Sequence, residues 1–223
     1  MDWESSWALI QSSIGPMLGG LIKGTIPLTL VTFPLGLAIA LAVALMRLSA
    51  LPGLAQIGRV YVSIIRGTPL IVQLFIVFYG LPQFGIRLDP WPAAIIALSL
   101  NVGGYAAEVI RSAILSIPKG QWEAAQTVGM GYALTLRRVV LPQAARVAVP
   151  PLSNTLISLL KDTALASTII FTDMLRVAQE LASPTGEFFA LYTLAAVIYW
   201  IICLVLSFGQ TRLETRLDRY VAR

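Results

Sequence analysis

The chain has 223 residues, of which 57% are apolar and 12% charged, with sixteen Lys and Arg, eleven Asp and Glu, and no His. A soluble protein is roughly 45–50% apolar with glycine counted and about 25% charged, so the composition is that of an integral membrane protein. Without His, and with Cys203 alone inside an apolar run, the chain builds no His/Cys zinc site, no His-based triad and no intramolecular disulfide.

Residues 2–21, with Trp3, Trp7 and the Gly15-Pro16 pair, predict an amphipathic segment lying in the outer membrane interface, where Trp is favoured. Asp2 and Glu4 stand where an export signal carries its basic region, so the start reads as uncleaved. Five hydrophobic blocks follow. The first is residues 24–46, between Lys23 and Arg47, and the second residues 67–86, between Arg66 and Arg87, with Pro69 near its start and Pro82 near its end. The third covers residues 90–107. The fourth starts after Arg146, is interrupted by Lys161 and Asp162 and continues through Phe171, and the fifth is residues 188–211. About 20 apolar residues span a bilayer, so the expected fold is an all-α integral membrane protein of about five transmembrane helices in one domain, residues 1–223.

Basic residues set the orientation, because they are retained on the cytoplasmic side. Arg47, Arg59 and Arg66 follow the first block, and only Arg87 follows the second. Arg111, Lys119, Arg137, Arg138 and Arg146 follow the third, only Arg176 the fourth, and Arg212, Arg216, Arg219 and Arg223 the fifth. The alternation places the N-terminus outside and the C-terminus in the cytoplasm. The net charge of +5 thus flanks apolar spans instead of forming one stripe, which points to a lipid bilayer and not to nucleic acid as the partner.

The connection between Arg111 and Pro151 is long enough to carry function. Residues 119–128 predict a short helix opened by Pro118 and broken at residues 129–131; a second helix, residues 133–140, is expected to end before Pro142. Ala124, Ala125 and Gly129 form a small face on which another surface can approach closely, and Glu123 is an exposed handle. That is the description of a docking element.

The run Glu123-Ala124-Ala125, three residues, Gly129, nine residues, Val139, one residue, Leu141-Pro142 resembles the EAA loop of ATP-binding-cassette importer permeases, with Val139 where Ile is commoner. Arg66-Gly67-Thr68-Pro69-Leu70, Asn101 with Tyr105 and Glu108, Pro118-Lys119-Gly120-Gln121, Leu141-Pro142-Gln143-Ala144 and Lys161-Asp162-Thr163 are together similar to the polar amino-acid permeases. The stretch from Tyr79 to Ile86, followed by Leu88-Asp89-Pro90, is similar to cystine-type members. Ala164 departs from the family's commoner Ser, which removes a hydroxyl there.

The resemblance implies a bacterial inner-membrane permease that works in a pair, identical or not, with ABC ATPase subunits and an extracytoplasmic amino-acid-binding protein. It implies an EAA-loop coupling helix, within about residues 118–142, seated in the ATPase. The chain has no G-x-x-x-x-G-K-[ST] loop, so it is expected not to be an enzyme: ATP and Mg belong to the partner subunits and no cofactor is expected in this chain. A channel or an ion-driven secondary transporter subunit for a small polar solute is the alternative reading.

Ionisable groups at membrane depth face a protein interior or a wet cavity. Asp162 is the first candidate for the α-ammonium of an amino acid, with Thr163 and Ser158 adding hydrogen bonds and Lys161 beside it; a Lys–Asp gate or inter-helix ion pair is the other reading of the same residues. Gly67-Thr68-Pro69 offers a helix start that can take a carboxylate, or is a plain helix-start Pro. Gln73 and Asn101 are either ligands or inter-helix hydrogen-bonding groups. Glu108 is a further candidate, or pairs with Arg111 at i, i+3. Gly103-Gly104 suits a close helix contact, including one at the subunit seam.

Overall fold

The computed structural model describes residues 3–218, with side chains for residues 6–216. Asp2, Arg219 and Arg223 of the charge pattern lie outside the described residues, as do the side chains of Trp3 and Glu4.

The described residues hold helices and no strand. They are α1 (Trp3–Gly20), α2 (Ile26–Leu48), α3 (Pro52–Gly67), α4 (Leu70–Phe75), α5 (Pro90–Leu115), α6 (Lys119–Thr127), α7 (Tyr132–Thr135), α8 (Leu141–Asp162), α9 (Met174–Thr185) and α10 (Phe188–Asp218). Among the described residues, three helical stretches are long and apolar enough to cross a membrane: Ser6–Leu48, Pro90–Leu115 and Phe188–Arg216. Two broken pairs, Pro52–Gly67 with Leu70–Phe84 and Tyr132–Ile169 with Met174–Thr185, raise the number to five if each pair counts as one span.

Proline placement explains where helices continue. Three π-helical turns, Leu21–Thr25, Ile76–Gly80 and Leu136–Val140, each stand just ahead of a proline: Pro27, Pro82 and Pro142. A proline lacks the N–H of the i→i−4 bond, and its ring collides with the carbonyl four residues back. In each case the residue before the proline donates one carbonyl further back, Ile26 to Leu21, Leu81 to Ile76 and Leu141 to Leu136, and the widened turn makes room for the ring.

Two expectations are corrected by this device. The helix starting at residue 133 does not end before Pro142: α7, the π turn and α8 run on without a break. Residues up to 21 do not form a separate interfacial segment either, because α1 passes through its π turn into α2, giving one helix over Ser6–Leu48. At Pro69, by contrast, the chain does break. Pro69 is extended (φ −63°, ψ 138°), so the second span starts at Leu70 and not at Gly67, and α3 precedes it as a helix of its own.

The chain forms two compact units, each assembled from three stretches. One comprises Met1–Pro34, Thr68–Ser99 and Leu156–Phe208, and the other Leu35–Gly67, Leu100–Thr155 and Gly209–Arg223. In the first, α1 with the π turn after it, α9 and α10 bury Met17, Leu21, Met174, Ala178, Ala195 and Ile198 together. Gly20 and Gly24, a small-xxx-small pair, bring the helix onto the backbone at Thr172 and Asp173: a methyl group on Gly20 would lie 2.9 Å from the Asp173 carbonyl oxygen.

In the second unit, Ala113, Ile114, Ile117, Val140, Ala144 and Ala148 form a core against which Trp122 and Leu136 pack. Small residues at the crossings allow close approach without a hydrophobic drive, as lipid-embedded helices require. Large apolar side chains of α10, Trp200 and Val205 among them, stay exposed, the faces that lipid covers.

Candidate functional site

The segment expected to dock is built by its own ends. Pro118 takes an extended backbone and caps α6, as a proline at a helix start can because its missing N–H is an orphan there anyway. Gly129, at φ +80°, ends it, and the Met130 N–H donates back to the Ala125 carbonyl at 3.0 Å. Only glycine adopts that left-handed conformation without a Cβ penalty. Gly129 is therefore fixed by the turn.

Trp122 anchors the segment, packing on the second unit's core and stacking on Tyr132 with ring centroids 5.6 Å apart. Gln143 of α8 donates to the Gln121 side chain at 3.1 Å. Glu123, Ala124 and Gly129 are exposed, and Val128 is 75% exposed. Ala125 is 4% exposed, so it faces the chain's own core and the open small face reduces to Ala124 and Gly129. One alanine of the pair packs inward because successive helix positions lie about 100° apart.

Glu108 lies in the second unit, where it accepts from Arg111 Nε at 3.1 Å and pairs with Arg47 from the last turn of α2. The Arg111 pairing agrees with the helical spacing, while the Arg47 contact across 61 residues had no local signal. Asn101 and Gly67 also belong to this unit. Asn101 is half-buried and Gly67 exposed.

Ser158, Lys161, Asp162, Thr163, Thr68 and Gln73 belong to the first unit. Asp162 ends α8 and is half-buried, with Lys161 and Ser158 exposed beside it. Among the described residues no ion pair joins Lys161 to Asp162. Thr163 is fully buried and its hydroxyl donates to the Leu160 carbonyl at 2.7 Å, which turns it to its own backbone. The Gln73 amide donates to the Thr68 carbonyl at 3.2 Å and hydroxyl at 3.0 Å, bracketing the break at Pro69.

Gly103 and Gly104 serve a contact inside the chain and not a subunit seam: a methyl group on Gly103 would meet Ile39 at 2.6 Å and the Tyr61 hydroxyl at 2.7 Å.

Sequence reasoning missed the buried Asp173. Its carboxylate caps α9, accepting from Arg176 N at 2.9 Å and Leu175 N at 3.2 Å, and the Tyr199 hydroxyl donates to it at 3.3 Å. An Asp just ahead of the periodic run from Met174 to Leu181 was an N-cap signal that could have found it.

A family profile described as binding-protein-dependent transport system inner membrane component matches residues 33–219. The chain is 56% identical over 218 residues to the L-cystine transport system permease protein TcyB of Bacillus subtilis (strain 168), with 97% of this chain and 93% of that protein covered. It is similar in structure to an amino acid ABC transporter with histidines, known from a crystal structure, at a TM-score of 0.87 and 35% identity over 97% of this chain and 99% of that one. It shares its fold with the MetNI methionine ABC transporter in an inward-facing conformation, at a TM-score of 0.75 and 23% identity, over 91% of this chain and 98% of that one.

Proposed function

The chain belongs to the family of binding-protein-dependent transport system inner membrane components and is a permease subunit of an amino-acid ATP-binding-cassette importer, and we propose that the amino acid it admits is L-cystine. The observation that carries this is 56% identity, over nearly the whole of both chains, to a permease named for L-cystine transport. In this reading a partner ATPase holds ATP and Mg and does the hydrolysis, and an extracytoplasmic binding protein delivers the amino acid. A second permease, the same chain or a related one, completes the path through the bacterial inner membrane.

The N-terminus lies outside and the C-terminus in the cytoplasm, so α6 faces the ATPase. Its exposed Glu123, Ala124 and Val128 are the contact surface, held by Trp122 and Gly129. Half-buried Asp162, next to exposed Ser158 and Lys161, takes the α-ammonium of the amino acid, because a carboxylate at membrane depth is stable only opposite a cation or water.

The test is uptake by the complex reconstituted with its ATPase and binding protein, against a panel of amino acids. ATP-dependent uptake of L-cystine ahead of arginine, glutamine and methionine is expected; preference for one of the others overturns the cargo assignment. Asp162→Asn is expected to lower uptake at least tenfold while the permease and ATPase still co-purify. Unchanged uptake kinetics in that variant remove Asp162 from the path.

A further inference from the structure

The second unit contains a cavity of about 540 Å³ lined by Arg66, Tyr105, Glu108, Ser112, Ser116 and Thr155 with apolar neighbours. Its size lies within the range of about 300–1,000 Å³ typical of small-molecule sites. The Arg66 guanidinium lies over the Tyr105 ring, 5.6 Å from its centroid. Stacking on a ring face holds a guanidinium in place and leaves its N–H edge available for a planar, two-pronged partner. Among the described residues no carboxylate pairs with Arg66.

Glu108, the carboxylate in the lining, is already held by Arg47 and Arg111. It therefore does not cancel the positive charge of Arg66. The uncancelled charge of Arg66 makes the cavity receptive to an anion, and the Ser112 hydroxyl supplies a further donor, whereas the Ser116 and Thr155 hydroxyls already donate to the Ala113 and Pro151 carbonyls at 2.8 and 3.0 Å.

The cavity also adjoins the docking segment. Ala113 lines it and belongs to the core against which Trp122 packs, and Ser116 is two residues ahead of the Pro118 cap. Thr155 and Pro151 of α8 line it as well.

The geometry points to a second station for the transported amino acid, distinct from Asp162, in which Arg66 stacked on Tyr105 receives the α-carboxylate before release. This rests on the reading of the chain as an amino-acid permease and adds a residue that selects for a free carboxylate.

The experiment measures equilibrium binding of the radiolabelled amino acid, and of its ester with every α-carboxyl methylated, to the nucleotide-free permease–ATPase complex in nanodiscs. The amino acid is the one that the uptake panel identifies, so a cargo other than L-cystine overturns the cargo assignment without touching this one. The wild-type complex is expected to bind the free acid at least tenfold tighter than the ester, and Arg66→Gln to bring the two within twofold. A wild-type complex without that preference, or an Arg66→Gln complex that keeps it, overturns the station.

Should Arg66→Gln not assemble, Arg66→Lys decides, since it keeps the charge and loses the planar fork: a preference reduced at least threefold supports the station and an unchanged one overturns it. Nanodiscs of phosphatidylcholine are compared with others containing phosphatidylglycerol. If phosphatidylglycerol abolishes acid binding to the wild type while Arg66→Gln binds the acid equally well in both, the guanidinium serves a lipid headgroup and the station falls.

Discussion

Gly104 has no room for a methyl group. A Cβ built there would stand 2.8 Å from the Cβ of Ile65 on α3, and one turn earlier the Tyr61 hydroxyl donates to the Leu100 carbonyl at 2.7 Å. The bare backbone of α5 is thus the surface on which α3 rests. Gly104→Ala is expected to destabilise the purified permease by about 1–3 kcal/mol, the usual cost of overpacking, seen as a lower midpoint of thermal unfolding. Adding Ile65→Ala removes the colliding branch and is expected to return part of that loss. If the two losses simply add, the residues are not in this contact. The Gly103-Gly104 pair announced a close approach from sequence, yet its partner was hidden. Small residues mark a crossing without naming the helix that crosses, and Ile65 looks like any other apolar residue.

At the level of elements, helix ends set by backbone chemistry were legible, and contacts made across long stretches of chain were not. The Pro118 start and the Gly129 stop of α6 follow from fixed φ and from the left-handed conformation, which act locally. The Arg47–Glu108 pair and the Tyr199–Asp173 bond join residues 61 and 26 positions apart, so no local pattern encodes them. Proline misled at residue 142 because its usual effect assumes an i→i−4 ladder, and a π turn removes the conflict. For α6 itself, Glu123 is exposed and Trp122 beside it is half-buried against the second unit's core. Replacing the exposed charge leaves the anchor intact. Glu123→Arg is therefore expected to reduce ATPase co-purification and uptake at least tenfold, with membrane insertion and thermal stability of the permease unchanged. Full assembly in that variant places the ATPase contact elsewhere.

For the whole molecule, orientation in the membrane is the property on which docking and delivery both depend, and its physical origin is the distribution of charge between connections. Ser183 lies near the end of α9, in the stretch where Arg176 is outnumbered by Asp173, Glu180 and Glu187. Gln126 and Thr215 lie in stretches rich in arginine, and all three are exposed. Translocating arginine is disfavoured while acidic residues matter little, so Ser183 is expected outside and the other two in the cytoplasm. The sequence contains a single cysteine, Cys203, which is half-buried in α10, and Cys203→Ser gives a background free of thiols. In that background Ser183→Cys is expected to react with a membrane-impermeant maleimide in intact cells. Gln126→Cys and Thr215→Cys are expected to react only once the membrane is opened. Labelling of Thr215→Cys from outside would invert the orientation and turn α6 away from any cytoplasmic ATPase. Labelling of both Ser183→Cys and Thr215→Cys from outside would mean that an even number of crossings lies between them, and the single crossing assigned to α10 would be wrong.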